Sequence, residues 1–313
     1  MNEESLSISN KATRPSLFKR LLALIVDTII ISLIGFATSF LFEDFYVSLG
    51  NLGPLVGLIF MVLYFSIFQS EIGKGQSIGK RAIEAKVTDI NGNLLTFKQA
   101  FLRATILFIP FYLDSVFLIS EVGFYFSLLL NLAGLAIIYF MLINISRRGL
   151  HDILMKTTVV NADISEITID EENDKSKKKT IGITVLTGVL VVTSVFFNSF
   201  YNGFTDLREA RTEIEKIEEV SYVNGLSITN STRIINDESP FNLSLILVSV
   251  KVNDESYLDF EEYSNDLSDQ IYSVVQQEVP EANDVDEVNV TLTYGYDIGI
   301  WNHKRTTTKT YER

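Results

Sequence analysis

"FKRLLALIVDTIII", Phe18–Ile31, decides how the chain is read. Apart from Lys19, Arg20, Asp27 and Thr28 the stretch is apolar, and the apolar run continues to Phe42. At about 1.5 Å of rise per residue, Leu21–Phe42 is long enough to cross a hydrocarbon core of about 30 Å. Four further runs have similar character: Leu52–Phe68, Ala104–Ile119, Val122–Ile145 and Ile181–Phe200. The third is short and contains Pro110 and Asp114. Hydrophobic residues make up 47% of the 313, and they cluster in runs as a bilayer requires. The mean hydropathy is +0.23. The first run is too long for a signal-peptide core and no small-residue cleavage site follows it, so it is read as a retained span.

The two charged residues that bracket this run need different accounts. Arg20 stands at the entrance, where its long stem can reach the interface. Asp27 lies about 10 Å further along the helix, roughly a third of the way across. A carboxylate deep in a span costs about 2.5–3.5 kcal/mol on insertion scales. Seven positions separate it from Arg20, whereas helix neighbours touch at three or four. Asp27 therefore needs a partner from another segment, or a proton. Arg103, Lys80 and Arg81 are the basic residues placed to supply one.

The net charge of −13 is unevenly spread. Residues 1–200 carry 17 Lys and Arg against 17 Asp and Glu, while residues 201–313 carry 9 against 22. The C-terminal part reads as an acidic soluble domain unsuited to nucleic acid or an anionic membrane surface. Basic residues flank the runs asymmetrically. Lys11, Arg14, Lys19 and Arg20 precede the first, Lys74 to Arg103 follow the second, and Arg147 to Lys179 follow the fourth. The short loops after the first and third runs carry Glu43, Asp44 and Glu121 and no Lys or Arg. Since Lys and Arg are retained on the cytoplasmic side, five spans with a cytoplasmic N-terminus satisfy all of them. The acidic domain is then extracytoplasmic and the protein sits in the cell membrane.

The organisation follows. Residues 1–17 are a cytoplasmic tail and 18–160 a four-span membrane domain. Within it, loop 70–103 holds a β-hairpin built from "AIEAKVTDI", Asn91-Gly92 and "NLLTF". Thr96 with Gln99 forms a capping box that opens a helix, and Lys156–Val160 can add a strand. Residues 161–179 are a polar linker and 180–200 the fifth span. Residues 201–313 show helical stripes at Leu207–Ile217 and Phe260–Val274. The alternating strand "VNVTLTYGY" and the apolar strand "LSLILVSVKV" complete an α+β domain. The fold class is thus an α-helical polytopic membrane domain, four spans plus a fifth, followed by a small soluble α+β domain.

Chemical motifs are sparse. Cysteine is absent, which removes disulfides, thiolate metal sites and thiol catalysis. "GQSIG", Gly75–Gly79, has the spacing of a nucleophile elbow but follows a span instead of a buried strand. "GKGQSIGKR" misses the phosphate-loop spacing and has Arg81 where Ser or Thr must bind magnesium. His151 and His303 fall on opposite sides of the membrane and cannot share a metal. "NDVDE", Asn283–Glu287, is too short for a calcium loop. No cofactor and no enzymatic activity are expected.

Three segments together carry a resemblance: "KRLLALIVDT", "GQSIGKRAIEAKVTDINGN" and "RRGLHDILMKTTVV". Residues 14–160 resemble the RDD family of bacterial membrane proteins, named for one Arg and two Asp. The resemblance maps these onto Arg20, Asp27 and Asp152; beside them, Lys80, Arg81, Arg103 and Arg148 are read from the sequence as supporting charges. Asp114 is outside the pattern. The family's role is unsettled, with ligand transport and ion–proton exchange proposed for members. The resemblance implies that Asp27 binds a cation or proton while Arg20 and Asp152 set its charge environment or lock the cytoplasmic face. The other reading is a membrane-anchored sensor or scaffold whose outer domain binds a protein or cell-wall partner.

Overall fold

A computed structural model describes residues 14–113, 121–143, 147–163, 204–233 and 241–313. The chain forms two units: residues 1–185 with 297–302, and residues 186–296 with 303–313.

The first unit opens with α1, Leu17–Ser48, whose N-cap Ser16 accepts the Lys19 amide. The helix buries one narrow stripe, Ala23, Asp27, Ile31, Gly35 and Ser39, at every fourth residue. The rest of its surface is exposed Leu, Ile, Val and Phe, with Leu33 60% and Phe40 72% accessible. That is the inverse of a soluble amphipathic helix and is what a lipid-facing helix looks like. Its backbone departs from helical geometry at Phe42, where the first run ends. A 3₁₀ turn, Gly50–Leu52, leads into α2, Pro54–Phe68, with proline at its first position.

These two, Leu17–Ser48 and Gly50–Phe68, are the helices among the described residues that are long and apolar enough to cross a membrane. The described residues thus bear out two of the expected four-plus-one spans. α4, Phe97–Tyr112, is capped by Thr96 and Gln99 as anticipated, but it spans only 16 residues and contains Pro110. In α5, Glu121–Ile143, the described apolar stretch is Leu129–Leu142. Asp114, the linker 164–179 and the fifth run, Ile181–Phe200, lie outside the described residues.

Short elements close the first unit: α3, Ile78–Ala82; β1, Ala85–Asp89; α6, Leu150–Leu154; and β2, Thr157–Asn161. The hairpin expected around Asn91-Gly92 is not formed as a strand pair. Asp89 accepts amides from Asn91 and Asn93 and makes a tight turn, after which the chain diverges. Leu95 is drawn instead into a small core with Ala85, Val87, Ala100 and Val159. β1 pairs antiparallel with β2, Val87 opposite Val159.

In the second unit α7 is Phe204–Ile214, β3 Val220–Arg233, β4 Phe241–Val252, α8 Ser256–Asp259, α9 Glu261–Glu278, β5 Glu287–Asp297 and β6 Asn302–Glu312. The sheet order is β3-β4-β5-β6. β3 and β4 are antiparallel, while β4 and β5 are parallel across the α9 connection. This is the α+β unit the alternating pattern predicts. Ala210, Ile214, Leu267, Ile271 and Val275 from the helices meet Ile246, Val248, Val250, Val290 and Leu292 from the sheet. β4 is central, but its face away from this core is partly open, with Leu247 40% exposed.

Candidate functional site

Asp27 lies on the buried stripe of α1 and has no accessible surface. Three donors meet its carboxylate. Tyr64 Oη on α2 donates to Oδ1 at 2.7 Å, the Gly79 amide to Oδ1 at 2.7 Å, and Ser77 Oγ to Oδ2 at 2.6 Å. Ser77 is also the N-cap of α3, accepting the Lys80 amide, and Tyr64 Oη accepts the Ile78 amide. The carboxylate therefore fastens the start of α3 to α1 and α2. All three donors are neutral, and Asp27 makes no ion pair with the described residues. The basic partners expected from Arg103, Lys80 or Arg81 do not reach it. A carboxylate can accept about four hydrogen bonds, and three are filled here.

"GQSIG" is explained by the same contact. A Cβ on Gly79 would collide with the Ala23 carbonyl oxygen of α1. Gly75 has φ +74°, and a Cβ there would lie 2.6 Å from the Val87 carbonyl oxygen. The glycines let loop backbone approach α1 and β1, and the Ser77 hydroxyl is committed to Asp27.

The second acidic residue is held in another way. Arg103 on α4 donates to Asp152 Oδ1 through Nε at 2.9 Å and Nη2 at 2.7 Å. Its Nη1 donates to Gln69 Oε1 at 2.6 Å. Thr157 Oγ1 donates to Asp152 Oδ1 at 2.9 Å, and the Gly149 amide to Oδ2 at 3.3 Å. Burial alone would push the Asp152 carboxyl up, but Arg103, His151 and Arg20 hold it well below the usual carboxylate range. Arg148 clamps the same turn from behind, donating to the carbonyls of Thr157 at 2.8 Å and Asp152 at 3.2 Å. Arg20 donates to the carbonyls of Arg147 at 2.6 Å and Val159 at 3.0 Å. Arg81 reaches the Gly73 carbonyl at 3.4 Å and lies 5.9 Å from the Phe68 ring.

Residues 14–156 match the sequence profile of the RDD family. They form an RDD domain. No curated protein and no solved structure matches the chain. In this RDD domain the three residues mapped from the family pattern form no single cluster. Asp152 is ion-paired, Arg20 ties carbonyls, and Asp27 sits among neutral donors. Sequence reasoning missed Tyr64, Ser77, Gln69 and Thr157 as their partners. The available signals were a tyrosine within an apolar helix and the first polar residue after it.

His151 packs against the ion pair, its Nε2 3.2 Å from Arg103 Nη2. Burial pushes its pKa down to about 4, with Asp152 opposing and Arg103 reinforcing. Below its ordinary value of 6.5 the unfolded chain gains a proton that the folded chain refuses. Stability is thus greatest above pH 6.5 and falls as pH drops towards about 4, by about 3 kcal/mol over that window. Thermal unfolding of the detergent-solubilised protein between pH 4 and 8 checks this. A His151→Gln protein is expected to lose this part of the acid slope.

Proposed function

We propose that the RDD domain moves a proton or small cation across the membrane in which it is embedded, with Asp27 as the group that binds and releases it. One contrast carries this reading. Asp152 has a permanent counter-charge in Arg103, whereas Asp27 is equally buried and has only neutral donors. A buried carboxylate without a fixed cation has the greatest need for an arriving one. Loading Asp27 would weaken its bonds to Ser77 and Gly79, and so free the start of α3 from α1. The Arg103–Asp152 pair would stay closed and keep the frame rigid. The reading assigns no catalysis and no cofactor.

The basic residues support a cytoplasmic N-terminus and a cytoplasmic α3 loop. With a fifth span at 181–200, the acidic domain of residues 201–313 would lie outside a multi-pass protein of the cell membrane. A second reading, in which this outer domain binds a protein or cell-wall partner, is favoured by the exposed aromatic pair Phe260 and Tyr263, with ring centroids 5.5 Å apart.

Proton and alkali-cation flux into proteoliposomes tests the transport reading. Asp27→Asn keeps the shape and an acceptor for Tyr64 and Gly79 but removes the charge. Flux is expected to fall more than about tenfold, which corresponds to about 1.4 kcal/mol at the binding step. Wild-type flux in a normally folded Asp27→Asn protein sinks the proposal.

A further inference from the structure

Lys80 is a charged residue that the Asp27 clasp and the Arg103–Asp152 pair leave unused. It lies on α3, three residues after the Ser77 N-cap that Asp27 holds. Its backbone amide is bonded to Ser77, but its amine forms no hydrogen bond or ion pair with the described residues. The amine instead lies over the Phe65 ring of α2, 5.4 Å from the centroid. The charged groups facing it are known from each neighbouring element. α1 supplies Asp27 and Arg20, α4 supplies Arg103, and α6 supplies Asp152 and His151. Tyr64 on α2 is bonded to Asp27, and neighbouring Arg81 on α3 turns away to Gly73. The residue as a whole is half-buried.

We propose that Lys80 is a proton-binding site coupled to Asp27. When Asp27 is empty and negative, the amine holds a proton and supplies the missing counter-charge through space. When Asp27 is loaded and neutral, that support is gone and Arg103 and Arg20 oppose the ammonium. The proton then leaves the amine for water as hydronium, with no other bond made or broken. The electrostatics agree with this assignment. Burial first, and then Arg103, pull the Lys80 pKa down to about 7, while Asp27 and Asp152 oppose the fall. A lysine with an ordinary hydrogen-bonded, solvated amine would not respond to its neighbours in this way.

The inference deepens the transport reading of Asp27, but its test reads protonation directly. The full-length protein in proteoliposomes is labelled with isotopic acetic anhydride across pH 5–11, and lysine peptides are quantified by mass spectrometry. Only the neutral amine reacts. The midpoint for Lys80 is expected near 7, well below the ordinary lysine value of 10.5. Asp27→Asn removes a carboxylate that favours the ammonium, so Lys80 is expected to label at least about threefold faster at pH 6. A Lys80 midpoint within one pH unit of the ordinary lysine value of 10.5 overturns the proposal, as does an Asp27→Asn protein with an unchanged midpoint. Absence of label on Lys80 at every pH also overturns it, because a proton site must communicate with solvent. Lost flux in Asp27→Asn beside an ordinary Lys80 midpoint would remove the proton site and leave transport standing. A low, Asp27-dependent midpoint in a protein without flux would do the reverse.

Discussion

Replacing Arg103 with Met is expected to cost about 3–5 kcal/mol, the largest loss from any single substitution in the first unit. The substitution keeps much of the apolar volume but strips Asp152 of its counter-charge. Gln69 loses its 2.6 Å donor at the same time. Asp152 is 1% exposed, so water cannot take over the role of the guanidinium. The carboxyl, freed from Arg103, would be pushed up by burial, opposed only by His151 and Arg20. Joining Arg103→Met with Asp152→Leu is expected to restore most of the loss, since two apolar groups pack more cheaply than one orphaned charge. Thermal unfolding in mild detergent measures all three proteins. A single variant within about 1 kcal/mol of wild type, the ordinary worth of a surface ion pair, would contradict the latch.

The second large effect is expected at Gly79. Adding one methyl group drives Cβ into the backbone of Ala23, and neither side is a flexible side chain that could move aside. Gly79→Ala is expected to cost about 3 kcal/mol, at the upper end for overpacking. Relief can come only by lifting α3 from α1, which breaks the bonds from Gly79 and Ser77 to Asp27. Trypsin cleavage at Lys80 and Arg81 is expected to rise about tenfold. Gly225→Ala is the control, because a Cβ there meets nothing within 4 Å. Equal trypsin resistance in both variants would show that α3 is not pinned by this approach.

The sequence carried the periodic features of the fold well. The apolar run of α1, the Thr96–Gln99 capping box and the alternation of β5 all follow from local chemistry and survive in the structure. It carried long-range pairing poorly. Asn91-Gly92 is a strong turn signal and the turn forms, but whether a second strand returns depends on where Leu95 can be buried. That place is created by Ala100 and Val159, far along the chain. For the site, charge periodicity identified Asp27 as a residue needing a partner, yet pointed to cations. The actual partners are two hydroxyls and an amide, groups common enough in any sequence to carry no signal of their own. Asp152 and Arg103 were each selected, one by resemblance and one by its place at a helix mouth. Their pairing depends on α4 and α6 being brought together, which neither segment encodes alone.

The two-stranded ladder of β1 and β2 has a consequence for the order of assembly. Val87 meets Val159, 72 positions further on. Closing a loop of that size costs about 4 kcal/mol of chain entropy. Such a contact forms late, after the local helices have consolidated. Arg20, near the start of the chain, also waits for the Val159 carbonyl. A nascent chain halted before residue 157 would therefore carry Asp27, Tyr64, Ser77 and Gly79 but lack the strand that pairs with β1 and holds Arg20. Completion of β2 acts as the checkpoint at which the separate pieces of the first unit become one cooperative body.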